Sequence, residues 1–321
     1  MNRPVLVRSR LVAAVCVLAW LLPPPVLGQS AGFTPPRTPW GDPDLQGAYT
    51  NSDESLTPLE RPDQLTGRRL EDFTEAELVE LRKERSDERV EADRQRWELR
   101  SPLHWFENHD PQNSRAWLVV DPPDGKVPAQ VPQARLRFAA REAARAGGGP
   151  ADSYENRSLY DRCITRGLPG SMMPAIYGNA YQIVQGPGYV AITYEMVHET
   201  RIVPLDGRPP LGSAIRQYMG DARGRWEGTT LVVETTNFTD KTPYRGSSEH
   251  LKITERFTPV APNTVEWAVT FTDPETWTRP WTFAMNLTRK DDSQQPFEYA
   301  CHEGNLGLEF ILRVARAEEA R

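Results

Sequence analysis

From Tyr181 to Cys301 short runs dense in Val, Ile, Thr, Trp and Tyr alternate with turn clusters, the signature of strands joined by tight turns. The runs cover 181–185, 189–198, 201–205, 229–236, 249–258, 264–272, 279–288 and 296–301. Gly186-Pro187-Gly188, Asp206-Gly207-Arg208-Pro209, the stretch Gly220 to Gly228 and the stretch Pro259 to Asn263 punctuate them. No helical period intervenes, so the pattern predicts an antiparallel meander rather than βαβ units. Seven or eight such strands suffice to curl into a barrel.

The N-terminal half reads differently. Residues 29–70 are rich in Pro, Asp and Thr and form an extended arm, in which Gly47-Ala48-Tyr49 opens a first strand. Thr74-Glu75-Ala76-Glu77 has capping-box spacing, and the Glu-, Arg- and Leu-rich stretch after it to about Arg100 predicts a long, solvated helix. A second helix is expected from about Pro132 to Ala146, stopped by Gly147-Gly148-Gly149-Pro150, and an amphipathic helix closes the chain over 305–319.

Period-two alternation assigns interior faces. Val190, Ile192, Tyr194 and Met196 share one face, and His198 falls on it. Leu251, Ile253 and Phe257 share another, with Glu255 among them. Val265, Trp267, Val269 and Phe271 line up, as do Trp281, Phe283, Met285 and Leu287. An apolar interior thus receives one His and one Glu. A buried carboxylate needs a cationic partner or must titrate high, and Arg201 or Arg162 supplies the cation.

Composition narrows the function. The 321 residues hold 38 Lys+Arg against 44 Asp+Glu, a net charge of −6, which argues against nucleic acid as a partner. Residues 1–28 carry Arg3, Arg8 and Arg10, then the apolar run Leu11–Leu22, then Pro23 to Gly28. This is the layout of a secretory signal, shorter than the roughly 20 apolar residues a spanning helix needs. The mature chain is then free of integral membrane association and periplasmic or secreted. It divides into 29–150, an arm and helices packing on the sheet, and 151–321, the barrel with its closing helix. Two cysteines remain after the leader, Cys163 and Cys301. In an exported protein such a pair suggests one disulfide, with two buried thiols as the alternative.

The chemistry-bearing residues are few. His104-Trp105-Phe106-Glu107-Asn108-His109 lacks the spacing of a zinc site. Cys301-His302-Glu303-Gly304-Asn305 is expected to end the last strand and open a helix, where His302 and Glu303 could act as an acid–base pair. No Gly-x-Ser-x-Gly elbow, dinucleotide fingerprint or haem-attachment motif is present. Tyr194, Trp267, Trp281 and Phe283 are candidates to line an aromatic pocket for a small molecule.

Several stretches carry a resemblance by their order. They are Thr38-Pro39-Trp40-Gly41-Asp42-Pro43-Asp44-Leu45-Gln46-Gly47, Asp161-Arg162-Cys163-Ile164-Thr165-Arg166-Gly167, Glu195-Met196-Val197-His198-Glu199-Thr200-Arg201, Gly220-Asp221-Ala222-Arg223-Gly224-Arg225-Trp226-Glu227-Gly228 and Cys301 to Asn305. Together they resemble a large family of exported bacterial proteins of unassigned function. The resemblance implies export and one shared fold, and it points to His198, Arg201, His302 and Glu303. Gly47-Ala48-Tyr49 is also similar to the opening of lipocalin-like barrels. The expected fold is mainly β, a calycin-like antiparallel barrel. The expected function is cofactor-free acid–base chemistry (a lyase, isomerase or hydrolase) on an apolar or aromatic-stacking ligand such as a terpenoid, phenolic or glycoside. His198 would be the base, Glu255 or Glu303 would orient it or donate a proton, and Arg201 would stabilise negative charge. The alternatives are a non-catalytic carrier of the same ligand and a divalent-metal hydrolase using several of the five His.

Overall fold

The computed structural model describes residues 33–96, 112–145, 148–175, 177–290 and 296–320. The expected leader at 1–28 and the His104–His109 segment lie outside them. Ten strands form one antiparallel sheet: β1 (Gly47–Thr50), β2 (Val119–Asp121), β3 (Ala180–Gly186), β4 (Tyr189–Tyr194), β5 (Thr200–Pro204), β6 (Asp221–Glu227), β7 (Thr230–Thr236), β8 (Lys252–Ala261), β9 (Thr264–Thr272) and β10 (Trp281–Arg289). Among the described residues three α-helices accompany it, α1 (Glu75–Arg96), α2 (Pro132–Arg145) and α3 (Leu306–Glu319).

The strand order is β5-β4-β3-β1-β10-β9-β8-β7-β6, with β2 pairing β10 beside β1. From β6 to β10 each strand pairs with the next in sequence, as a meander should. The sheet curls until its edge strands meet and is nearly a closed barrel. At the seam a Cβ on Gly224 of β6 would lie 2.7 Å from Val203 Cγ1 of β5 and 2.6 Å from Leu205 Cδ2. Glycine is what lets the two edges touch there. The expected mainly β, barrel-forming architecture is therefore the observed one, and β1 and β2 place the arm's own residues inside the sheet.

Alternation decides what fills the barrel. Along β9, Val265, Trp267, Val269 and Phe271 are buried while Glu266, Ala268, Thr270 and Thr272 are half-buried. The facing strands add Ile192, Tyr194, Phe257, Trp281 and Phe283, all fully buried. Their rings pack on one another: Phe271 and Trp281 stack with centroids 4.3 Å apart, and Trp267 meets Phe283 edge-on at 5.4 Å. Rings in such offset and edge-on contact gain more than their burial alone provides.

Three segments depart from the sequence reading. The strand expected over 189–198 ends at Tyr194, because the chain turns sharply into β5. The Gly220–Gly228 stretch, read as punctuation, is strand β6. Its Arg and Glu side chains looked loop-like, but as an edge strand it turns Arg225 and Glu227 to solvent, where they pair at 2.7 Å. Residues 296–301 form no strand and enter a turn at 301–304. Both edges of β10 are already taken by β9 and by β1 and β2, which leaves this segment no partner there. The three-residue β2 is too short to carry a periodic signal.

Candidate functional site

The β4–β5 hairpin organises one end of the barrel. Tyr194 N–H donates to the Glu199 carbonyl at 3.0 Å, and His198 N–H to that of Glu195 at 3.0 Å. Reversing the chain over so few residues forces Val197 (φ +64°) and His198 (φ +34°) into left-handed backbone, a conformation that β-branched residues adopt only under strong constraint. The reversal removes His198 from the interior row. The expected inward-facing histidine is exposed, and its Nδ1 donates to the Tyr299 carbonyl at 2.9 Å. That bond leaves Nε2 as the basic nitrogen of the neutral ring.

Glu255 faces inward as the alternation required, and of its two candidate cations Arg201 is the one that meets it, while Arg162 lies over the Tyr154 ring. Register sets Arg201 opposite Ile192 and Glu255 opposite Val269, both facing inward. Although β5 and β8 are not neighbours in the sheet, their side chains meet across the interior. Arg201 Nη1 and Nη2 lie 2.5 and 3.0 Å from Glu255 Oε2 and Oε1, and Trp267 Nε1 donates to Oε1 at 3.1 Å. Burial works against the charge on Arg201, but the Glu255 carboxylate and the Tyr194 hydroxyl together outweigh it and hold the guanidinium pKa above its ordinary value. The buried Tyr194 hydroxyl sits against this guanidinium, and burial raises its pKa as well. Neither the Tyr194 hydroxyl nor Arg201 Nε has a well-formed hydrogen bond.

Next to them is a carboxylate that alternation did not single out. Glu199 is half-buried in the hairpin, and Thr165 Oγ1 donates to its Oε2 at 2.6 Å. Burial raises the Glu199 pKa, while the Thr165 hydroxyl and the Arg201 charge pull it partly back. The signal lay in the His-Glu-Thr-Arg run, but only the turn geometry tells that Glu199 faces Thr165.

Thr165 belongs to the 158–167 loop, which is fastened to the C-terminal segment. Cys163 and Cys301 form a disulfide with Cα atoms 5.7 Å apart, as the pair of cysteines suggested. Tyr177 and Tyr299 stack with centroids 6.3 Å apart, and the Tyr160 and Tyr177 hydroxyls reach that of Tyr299. Burial, then contact with the neighbouring phenols, raises the pKa of Tyr299; burial likewise raises that of Tyr160. Tyr160 and Tyr299 therefore stay neutral hydrogen-bonding phenols at ordinary pH. At the same end a surface pocket of about 340 Å³ is lined by Arg216, Tyr218, Asp240, Lys241 and Glu249. Met219, next to Tyr218, places its sulfur 3.6 Å from Thr165 Oγ1.

The hairpin thus gathers Tyr194, His198, Glu199 and Arg201, with Glu255 behind them. His302 and Glu303 are exposed in the 301–304 turn and touch His198 only indirectly, through the Tyr299 carbonyl, which accepts from both His198 Nδ1 and Cys301 N–H. Trp267, Trp281 and Phe283 are fully buried within the ring stack, so they shape the barrel from inside. No group of three or more His, Cys, Asp or Glu able to hold a metal ion is found among the described residues, and no helix among them is long and apolar enough to cross a membrane. Comparison of the chain with protein-family models, with curated proteins and with solved structures finds no match.

Proposed function

We propose that the chain is an exported enzyme performing acid–base chemistry without an organic cofactor on a small apolar or aromatic-stacking molecule, at the barrel end where β4 turns into β5. The leader at 1–28 supports export, and a disulfide is compatible with it. The observation that carries the reaction is Glu199: a half-buried carboxyl with a raised pKa, beside a buried tyrosine hydroxyl and a buried guanidinium. A carboxyl whose pKa is raised holds its proton more readily than an ordinary glutamate, as a general acid must.

The roles follow from the contacts. Glu199 moves the proton, steadied by Thr165. Tyr194 and Arg201 stabilise negative charge developing on the substrate. Glu255 is fully engaged by Arg201 and Trp267, so it orients the guanidinium and does not trade protons. His198 offers Nε2 at the rim, with the Tyr177–Tyr299 stack as a face for a flat ligand. Terpenoid, phenolic and glycoside pools are the first substrates to screen. Wild type should consume a member of one pool, and Glu199→Gln should lower turnover by about 10²–10⁴-fold. Equal turnover by the variant would remove Glu199 from the chemistry. Tight binding without turnover in every pool would make the protein a carrier.

A further inference from the structure

The disulfide is placed asymmetrically. Cys163 is 2% exposed, whereas Cys301 is partly open to solvent in the 301–304 turn. Asn305 Nδ2 donates to the Asp161 carbonyl at 2.9 Å and lies 3.3 Å from Cys163 Sγ, while Asn305 Oδ1 caps α3 by accepting from Leu308 N–H at 3.2 Å. An incoming thiolate can therefore reach the Cys301 sulfur, and an amide N–H waits beside the sulfur that would leave. Exchange is fast when the attacked sulfur is accessible and the leaving thiolate is stabilised.

The segment held by this bond has no footing in the barrel. No side chain of α3 is buried, and Phe297 and Phe310 are 82% and 61% exposed. The contacts described for residues 296–319 go to loops: Arg316 to the Asp152 carbonyl at 3.0 Å, Asn305 to Asp161, the Tyr299 ring to Tyr177 and its carbonyl to His198. The covalent tie joins this strap to the loop that carries Thr165.

We propose that Cys163–Cys301 is a redox latch, opened by a dithiol reductant through Cys301, which holds the 296–319 strap over the β4–β5 hairpin. The first thiolate bonds to Cys301 Sγ, and the Cys163–Cys301 bond breaks. Cys163 leaves with the electron pair as a thiolate beside Asn305 and takes a proton from solvent. The second thiol of the reductant then attacks the mixed disulfide, freeing the Cys301 thiol and leaving the reductant oxidised. Two electrons and two protons reach the protein. The strap then detaches, which frees the exposed His198 ring from the Tyr299 carbonyl and uncovers the half-buried Tyr177. The latch stands independently of the acid–base reading.

The test begins with glutathione added to the native protein, an acid quench, alkylation with N-ethylmaleimide and peptide mapping. Glutathione should sit on Cys301 and maleimide on Cys163, about tenfold or more over the reverse. Equal or reversed labelling, or reduction only in denaturant, overturns the proposal. Asn305→Asp keeps the cap oxygen but replaces the donor facing Cys163, and should slow reduction about threefold or more; an unchanged rate overturns the leaving-group role of Asn305. After full reduction by dithiothreitol, amides in 299–319 should exchange about tenfold faster over minutes while β8 and β9 stay protected. An unchanged strap, or β8 and β9 loosening with it, overturns the latch.

Discussion

Replacing Arg201 with Met isolates the interior ion pair. Arg201 and Glu255 side chains are 4% and 1% exposed, and two N–H···O contacts join them. The substitution keeps an unbranched apolar stem in the barrel but leaves the Glu255 carboxylate with only Trp267 Nε1. Breaking a buried pair from one side costs about 3–5 kcal/mol, because the remaining charge is buried without compensation. Part of that loss is avoided if Glu255 takes up a proton, so the variant's loss relative to wild type should depend on pH. In the variant Glu255 has a folded pKa above its unfolded value. Folding is then least impaired below the ordinary glutamate pKa, and stability drains as pH rises from there through the raised value. Urea unfolding followed by Trp fluorescence at pH 4.5 and pH 7 measures both effects. Arg201→Met with Glu255→Leu should recover most of the loss, short of the about 1–3 kcal/mol for leaving Trp267 Nε1 unpaired. A single variant within about 1 kcal/mol of wild type at pH 7, or a double variant no better than the single, would refute the reasoning.

Other expectations follow from the hairpin and the seam. Glu199 has a raised folded pKa, so its proton-bound form favours the fold at acid pH and that contribution is lost as pH rises through the raised value. Glu199→Gln should thus be at least as stable as wild type at pH 7 in urea titration; a clear loss of stability there would count against the buried-carboxyl reading. Tyr194→Phe removes a hydroxyl without a well-formed hydrogen bond. Its midpoint should be unchanged or higher while turnover on any accepted substrate falls, and a large destabilisation would make the hydroxyl structural. Gly224→Val should cost about 1–3 kcal/mol by overpacking the seam against Val203, and an unshifted urea midpoint would mean that the edges do not touch.

How far the sequence reaches is clearest in single strands. Period-two alternation placed Val265, Trp267, Val269 and Phe271 inside, and the buried Glu255 in an apolar row demanded a cation, with Arg201 and Arg162 as candidates; the barrel supplies Arg201. Alternation fails where a strand stops. Nothing in Tyr-Glu-Met-Val-His announces that β4 ends at Tyr194, since Val197 is a residue that resists left-handed backbone. Carrying the period four residues too far sent His198 inward and hid Glu199, whose role depends on Thr165 in a loop 34 positions away. The tyrosine cluster was unreadable for the same reason: Tyr160, Tyr177 and Tyr299 converge only because the disulfide spans 138 positions.

The reaction rests on Glu199 being a half-buried carboxyl whose pKa burial raises above its ordinary value. Titration of glutamate carboxyl carbons by ¹³C NMR, assigned by the resonance that Glu199→Gln removes, tests it directly. The account predicts that the missing resonance titrates clearly above the ordinary glutamate value of about 4.3. A Glu199 that titrates at or below that value would contradict it.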